Sequence, residues 1–198
     1  MRRAVLALVL GLAAAPVAAQ ETGTPVFMAP YRAFEQMEFG AMFSDPGIGS
    51  WALEGEYGFG FGVYDISVNG GYLDRGDGGA GTFGGALRSR IITASEKFPL
   101  DGALTIGAGA VIGEGSDVLW VPVGLSLGRR VDLEGAKTSF VPYIHPVIAP
   151  RFQGGEDAAL DVALGIGVDI RFGGNFDVRV SGGIGDIDGV AIGLVWVR

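Results

Sequence analysis

From Leu160 to Phe172 every second residue is large and apolar: Leu160, Val162, Leu164, Ile166, Val168, Ile170 and Phe172. The residues between them are Asp161, Ala163, Gly165, Gly167, Asp169 and Arg171. A period of two belongs to a β-strand, because a helix would scatter these side chains around its circumference. The rule recurs in Phe176, Val178 and Val180 against Asp177, Arg179 and Ser181, and in Leu104, Ile106 and Ile112 against Thr105, Gly107 and Gly109. Alternation alone suits a soluble sheet equally well, so the second face decides. Gly weakens a strand, and neither Gly nor Ala gives a water-facing surface the charge it needs. As the lining of a narrow barrel, where bulk is sterically limited, small residues fit. The 36 glycines among 198 residues, with 48% hydrophobic residues, therefore point to an apolar face outside and a small, partly charged face inside.

About ten such strands are expected, near 35–43, 50–59, 63–73, 81–94, 102–113, 118–129, 138–150, 159–172, 175–184 and 189–197. Each is close to the ~10 residues that a tilted strand needs to cross a bilayer. Turn-rich segments separate them, among them Ser44-Asp45-Pro46-Gly47, Gly173-Gly174-Asn175 and Gly185-Asp186-Ile187-Asp188-Gly189. The expected fold is all-β: a closed, antiparallel, up-and-down transmembrane β-barrel over residues 35–198. Eight strands is the alternative count, with 58–63 a bulged continuation instead of a hairpin. Aromatic residues near the ends of the apolar runs (Trp51, Phe59, Tyr72, Phe140, Phe172, Phe176, Trp196) suit the two interfacial girdles of such a barrel.

The N-terminus carries a secretory pattern: cationic Met1-Arg2-Arg3, an apolar run from Ala4 to Ala15, Pro16, and the small-residue site Val17-Ala18-Ala19. Residues 1–19 are expected to be cleaved on export, and 20–34 to form a lead segment. The apolar run is shorter than the roughly 18–20 residues of a spanning helix. The formal net charge of -8 grows more negative once two arginines and no acid are removed. An acidic exported chain is a poor nucleic-acid ligand. With no cysteine there is no disulfide framework, no thiolate nucleophile and no zinc–sulfur site.

The segment Val121-Pro122-Val123-Gly124-Leu125-Ser126-Leu127-Gly128-Arg129-Arg130, a polar turn, and Ser139-Phe140-Val141-Pro142-Tyr143-Ile144 resemble the small porin-like outer-membrane β-barrel families of the OmpA, OmpX and OmpW type. That resemblance implies residence in a bacterial outer membrane, surrounded by lipid and lipopolysaccharide, as a monomer inserted by the barrel assembly machinery. Members usually finish on an aromatic residue, whereas this chain ends Leu194-Val195-Trp196-Val197-Arg198, with its aromatic two places early.

Hairpin parity makes the inner face specific. Pairing Phe172 with Phe176 across a three-residue loop sets Arg171 against Asp177 and Asp169 against Arg179. Pairing Tyr57 with Ile66 sets Glu56 opposite Ser67 and Glu54 opposite Asn69, with Asp65 meeting Arg90 on the next strand. These charges form either a gate that tunes ion passage or a plug in a filled barrel; the narrow bore of a ten-stranded barrel favours the plug.

No catalytic residue, metal site or cofactor is expected. The sole histidine, His145, lies in a strand without a Ser or Asp at a suitable spacing, and reads as a structural lumen residue. Acidic loops at Glu156-Asp157 and Asp186-Ile187-Asp188-Gly189 lack a full calcium ligand set and read as solvated rims. Pro142, Pro146 and Pro150 share one parity, so their missing N–H groups weaken a single seam, a candidate lateral opening. The expected function is that of a non-enzymatic outer-membrane barrel with a structural, adhesion or narrow-permeability role. The alternatives are a secreted soluble β-barrel or sandwich binding a small apolar ligand, and a lipid-modifying outer-membrane enzyme dependent on His145.

Overall fold

The structure, a computed structural model, describes residues 27–30, 37–45, 50–76, 78–113, 117–173 and 175–198. The expected signal segment 1–19 and most of the expected lead 20–34 lie outside the described residues, as do parts of the loops at 46–49 and 114–116. Among the described residues the regular elements are all strands: β1 (Glu38–Asp45), β2 (Trp51–Phe61), β3 (Tyr64–Asp74), β4 (Gly79–Ile92), β5 (Asp101–Gly113), β6 (Val118–Trp120), β7 (Val123–Gly128), β8 (Val131–Asp132), β9 (Thr138–Gln153), β10 (Ala159–Phe172), β11 (Phe176–Gly185) and β12 (Gly189–Val197).

From β1 to β5 and from β9 to β12 each strand pairs antiparallel with its sequence neighbour, β6 and β7 lie between β5 and β9, and β12 pairs antiparallel with β1, which closes the sheet. β6, β7 and β8 keep one unbroken register against β9, so β6 and β7 are halves of a single stave interrupted at Val121-Pro122, and β8 prolongs it past the wall. The barrel thus has ten staves, as the alternation implies. Closure removes the sheet edges that an open ten-stranded sheet would expose. Both ends of the barrel chain meet at one rim, where the Arg198 N–H donates to the Met37 carbonyl at 2.8 Å. This is the turn rim; the opposite rim carries the segments after β1, β3, β5, β9 and β11.

The expected orientation of the two faces is observed. Outward residues such as Leu104, Ile112, Ile148, Leu160, Val162 and Leu194 are exposed, while Thr82, Ser126, His145, Asp169 and Asp177 are buried inside. Each large side chain left in water would forgo roughly 1.5–3 kcal/mol, so an outer surface made of them on every stave is a surface for hydrocarbon. Aromatics gather near both rims: Phe43, Trp51 and Tyr72 at one, Phe39, Tyr57 and Trp196 at the other.

Two register expectations are corrected. The β2–β3 hairpin turns tightly at Gly62-Val63, with Gly62 at φ 60, and pairs Phe61 with Tyr64. A two-residue turn with Gly first shifts the strands by one inward position. Glu56 therefore stands opposite Asn69, not Ser67, and Glu54 opposite Gly71, not Asn69. The same segment shows a true hairpin where the eight-stranded alternative needs a bulge. On the next strand Asp65 stands opposite Arg88, not Arg90, because the β3–β4 register ends at Tyr64 opposite Ser89 and sets Arg90 beyond that last pair.

Candidate functional site

The lumen is filled from two sides, one by charge and one by chain. The charged side centres on Arg179, whose guanidinium donates to Glu38 Oε2 at 2.7 Å and Oε1 at 3.3 Å. It also approaches Asp169 at 3.8 Å and Glu56 at 3.9 Å. The Asp169/Arg179 and Arg171/Asp177 partnerships sit in the expected register, the latter at 3.7 Å. Arg88 pairs with Asp65 through two of its N–H groups. Glu54 accepts from Thr82 Oγ1 at 2.7 Å and from Asn69 Nδ2 at 3.3 Å, so the anticipated Glu54–Asn69 contact exists diagonally even though the two are not opposite. Nearer the loop rim, Asp161 accepts from the Trp120 indole at 3.0 Å and pairs with Arg151 at 3.1 Å. Buried ions unmatched by partners would cost several kcal/mol each; this lattice answers most of that cost.

The other side is occupied by Phe27-Met28-Ala29-Pro30, part of the segment read from sequence as a lead outside the barrel. Four inner-wall side chains hold its backbone. Tyr143 OH donates to the Phe27 carbonyl at 3.3 Å, Ser126 Oγ to the Met28 carbonyl at 2.6 Å, and Arg88 Nη1 to the Ala29 carbonyl at 2.5 Å. The Met28 N–H donates to His145 Nδ1 at 3.2 Å. Because Nδ1 accepts, the ring proton sits on Nε2 and is donated to Thr105 Oγ1 at 2.8 Å. His145, fully buried, spends both nitrogens on positioning.

This explains part of the glycine face. A Cβ at Gly165 would strike the Phe27 ring, one at Gly183 would strike that ring and the Ile187 carbonyl, and one at Gly128 would meet the Pro142 carbonyl first and then Pro30 at 3.1 Å. The small residues on β7, β10 and β11 are therefore the seat of an inserted segment, not the lining of an open bore. The segment runs along the barrel: Phe27 lies by Gly183 and Ile187 near the loop rim, and Pro30 by Gly128 near the turn rim.

Sequence reasoning missed Glu38, Arg88 and the inserted segment. Glu38 and Arg88 carried a signal, since they share inward parity with Ser44 and Arg90 on their own strands. Residues 27–30 carried none, because they alternate with nothing. Arg90, by contrast, is exposed at the end of β4. In the loops, Asp186 ties the rim to β10 by accepting the Val162 N–H at 2.9 Å.

The prolines behave as their parity implies. Val121 N–H donates to the Pro150 carbonyl at 3.0 Å and Arg129 N–H to the Pro142 carbonyl at 3.3 Å, so the backbone edge of these prolines faces the β6–β7 stave. The β9–β10 ladder, served by residues of the other parity, pairs without a gap from Thr138 to Arg151.

No family model matches the chain, and no curated protein does. Among solved structures it is similar to the β domain of the Bordetella autotransporter BrkA, with a TM-score of 0.52 and 15% sequence identity over 83% of this chain and 100% of that one. At that identity the likeness is one of fold: the chain has the architecture of an outer-membrane-type β-barrel.

Proposed function

We propose that the protein is a non-enzymatic barrel of the bacterial outer membrane, serving a structural role with its lumen closed. The apolar outer belt with aromatics at both rims supports residence in a bilayer, where lipid and lipopolysaccharide would cover it and the barrel assembly machinery would insert it as a monomer. The likeness of segments 121–130 and 139–144 to the OmpA, OmpX and OmpW type agrees with this placement. The observation that carries the closed state is the double filling of the lumen, by residues 27–30 on one wall and by the Arg179 and Arg88 ion pairs on the other. His145 favours a non-enzymatic reading, since neither ring nitrogen is left to shuttle a proton.

The test is cell fractionation, followed by heat-modifiable migration of the detergent-extracted protein and single-channel recording in planar bilayers. Recovery in the outer membrane, a heat-dependent shift and no steady conductance are expected. A water-soluble protein that needs no detergent would overturn the membrane reading, and a steady open conductance would overturn the closed lumen.

A further inference from the structure

The wall of this barrel is short of ladder donors at the β6–β7 stave. On its β9 side, Pro142, Pro146 and Pro150 stand opposite Arg129, Leu125 and Val121, and each lacks the N–H that an antiparallel ladder would draw from that position. On its β5 side, Pro122 accepts from Gly107 at 2.8 Å but returns no donor. The β7–β9 register runs unchanged from Gly124 opposite Val147 to Leu127 opposite Ile144, but between them the ladder lapses by the one bond that Pro146, lacking an N–H, cannot donate to Leu125, beside the facing pair Ser126 and His145.

Directly behind that lapse lies Met28. Its carbonyl accepts from Ser126 on β7, and its N–H donates to His145 on β9. One peptide segment from elsewhere in the chain therefore bridges Ser126 and His145, which face each other beside the point where Pro146 leaves the ladder a donor short. Outside the lapse the lips are apolar, Leu127 on β7 and Ile144 and Ile148 on β9; inside it are a hydroxyl and an imidazole. An opening here would present hydrocarbon to a tail and hydrogen-bonding groups to a head.

We propose that the β7–β9 seam is a lateral portal between bilayer and lumen for an acyl-chain amphiphile, and that Met28 is the tie that holds it shut. This goes beyond a structural role for the barrel, and it can fail while residence in the membrane stands.

The experiment compares the full chain with Met28→Pro and with Ser126→Ala, each reconstituted in phosphatidylcholine vesicles containing a phospholipid with a photoactivatable acyl chain. Heat-modifiable migration first verifies the fold, and Ser126→Ala, which only deletes a hydroxyl, serves if Met28→Pro does not assemble. Amide exchange is expected to rise roughly tenfold at Val123, Leu125 and Leu127, the change that follows loss of a buried hydrogen bond. The β9–β10 amides of Val141, Tyr143 and Val147 are expected to keep wild-type protection. Photolabel is expected on outward Ile144 and Ile148 in the wild type, and on lumen-facing Ser126 or Tyr143 as well in the loosened variants. A disulfide formed in Val123→Cys/Ile148→Cys, clean because the chain has no other cysteine, is expected to abolish the lumen label. Unchanged exchange at β7, or a uniform rise over all staves, would overturn the tie; label confined to outward residues in every variant would overturn the portal.

Discussion

Arg179 on β11 grips Glu38 on β1 through two N–H···O bonds of 2.7 and 3.3 Å, reaching past the whole of β12. The two residues are 141 positions apart, and the contact spans the β12–β1 junction that closes the barrel. Closure is thus secured twice, by the ladder in the wall and by a bidentate ion pair inside it, the geometry in which an arginine–carboxylate pair is strongest.

Removing the cation leaves Glu38, Glu56 and Asp169 buried without their shared partner. Arg179→Met should lower unfolding stability by about 3–5 kcal/mol, as breaking a buried pair from one side does. Urea unfolding in detergent measures it. Glu38→Gln should cost clearly less in the Arg179→Met background than alone, because the two act as one unit; additive losses would show that the contact contributes nothing of its own.

Gly165 tests whether the inner glycines are a seat for Phe27. Gly165→Ala should cost about 1–3 kcal/mol by overpacking against the ring. In a Phe27→Gly background, which removes the Cβ as well as the ring, the same substitution should be nearly neutral. An equal loss in both backgrounds would mean that the glycine answers to the barrel wall alone.

Arg88 and Arg90 share a face but not a role. Arg88→Met takes the buried guanidinium from Asp65 and from the Ala29 carbonyl and should cost several kcal/mol. Arg90→Met, at an exposed position, should stay within about 0.5 kcal/mol. Thermal midpoints of the heat-modifiable transition, compared between the two variants, distinguish them directly.

Gly62 fixes the β2–β3 register by adopting a positive φ at the first turn position. Gly62→Val should destabilise by about 1–3 kcal/mol through backbone strain. Gly60→Ala, where an added Cβ meets nothing within 4 Å, should fall well below that in the same unfolding measurement.

What the sequence determined by itself was everything that depends on parity and short turns. Alternation placed the apolar belt outside and the small face inside, because a one-residue slip would invert every side chain. The three-residue loop between Phe172 and Phe176 was enough to set Asp169 against Arg179, and the shared parity of the three prolines was enough to assign them to one seam. The β2–β3 register went astray because a two-residue turn and a longer one fit the same alternation equally well, and only the backbone at Gly62 selects between them. The alternation left the β3–β4 register open by one inward position in the same way, so Arg90 was set where Arg88 stands. The tertiary structure alone decided what meets across the lumen. Arg179 finds Glu38 only after ten staves have closed and brought the last strand beside the first. Phe27 to Pro30 find their seat only because Gly128, Gly165 and Gly183, distant in sequence, leave space along one inner wall. Neither contact has a local signature, since both are products of closure and not of any one strand.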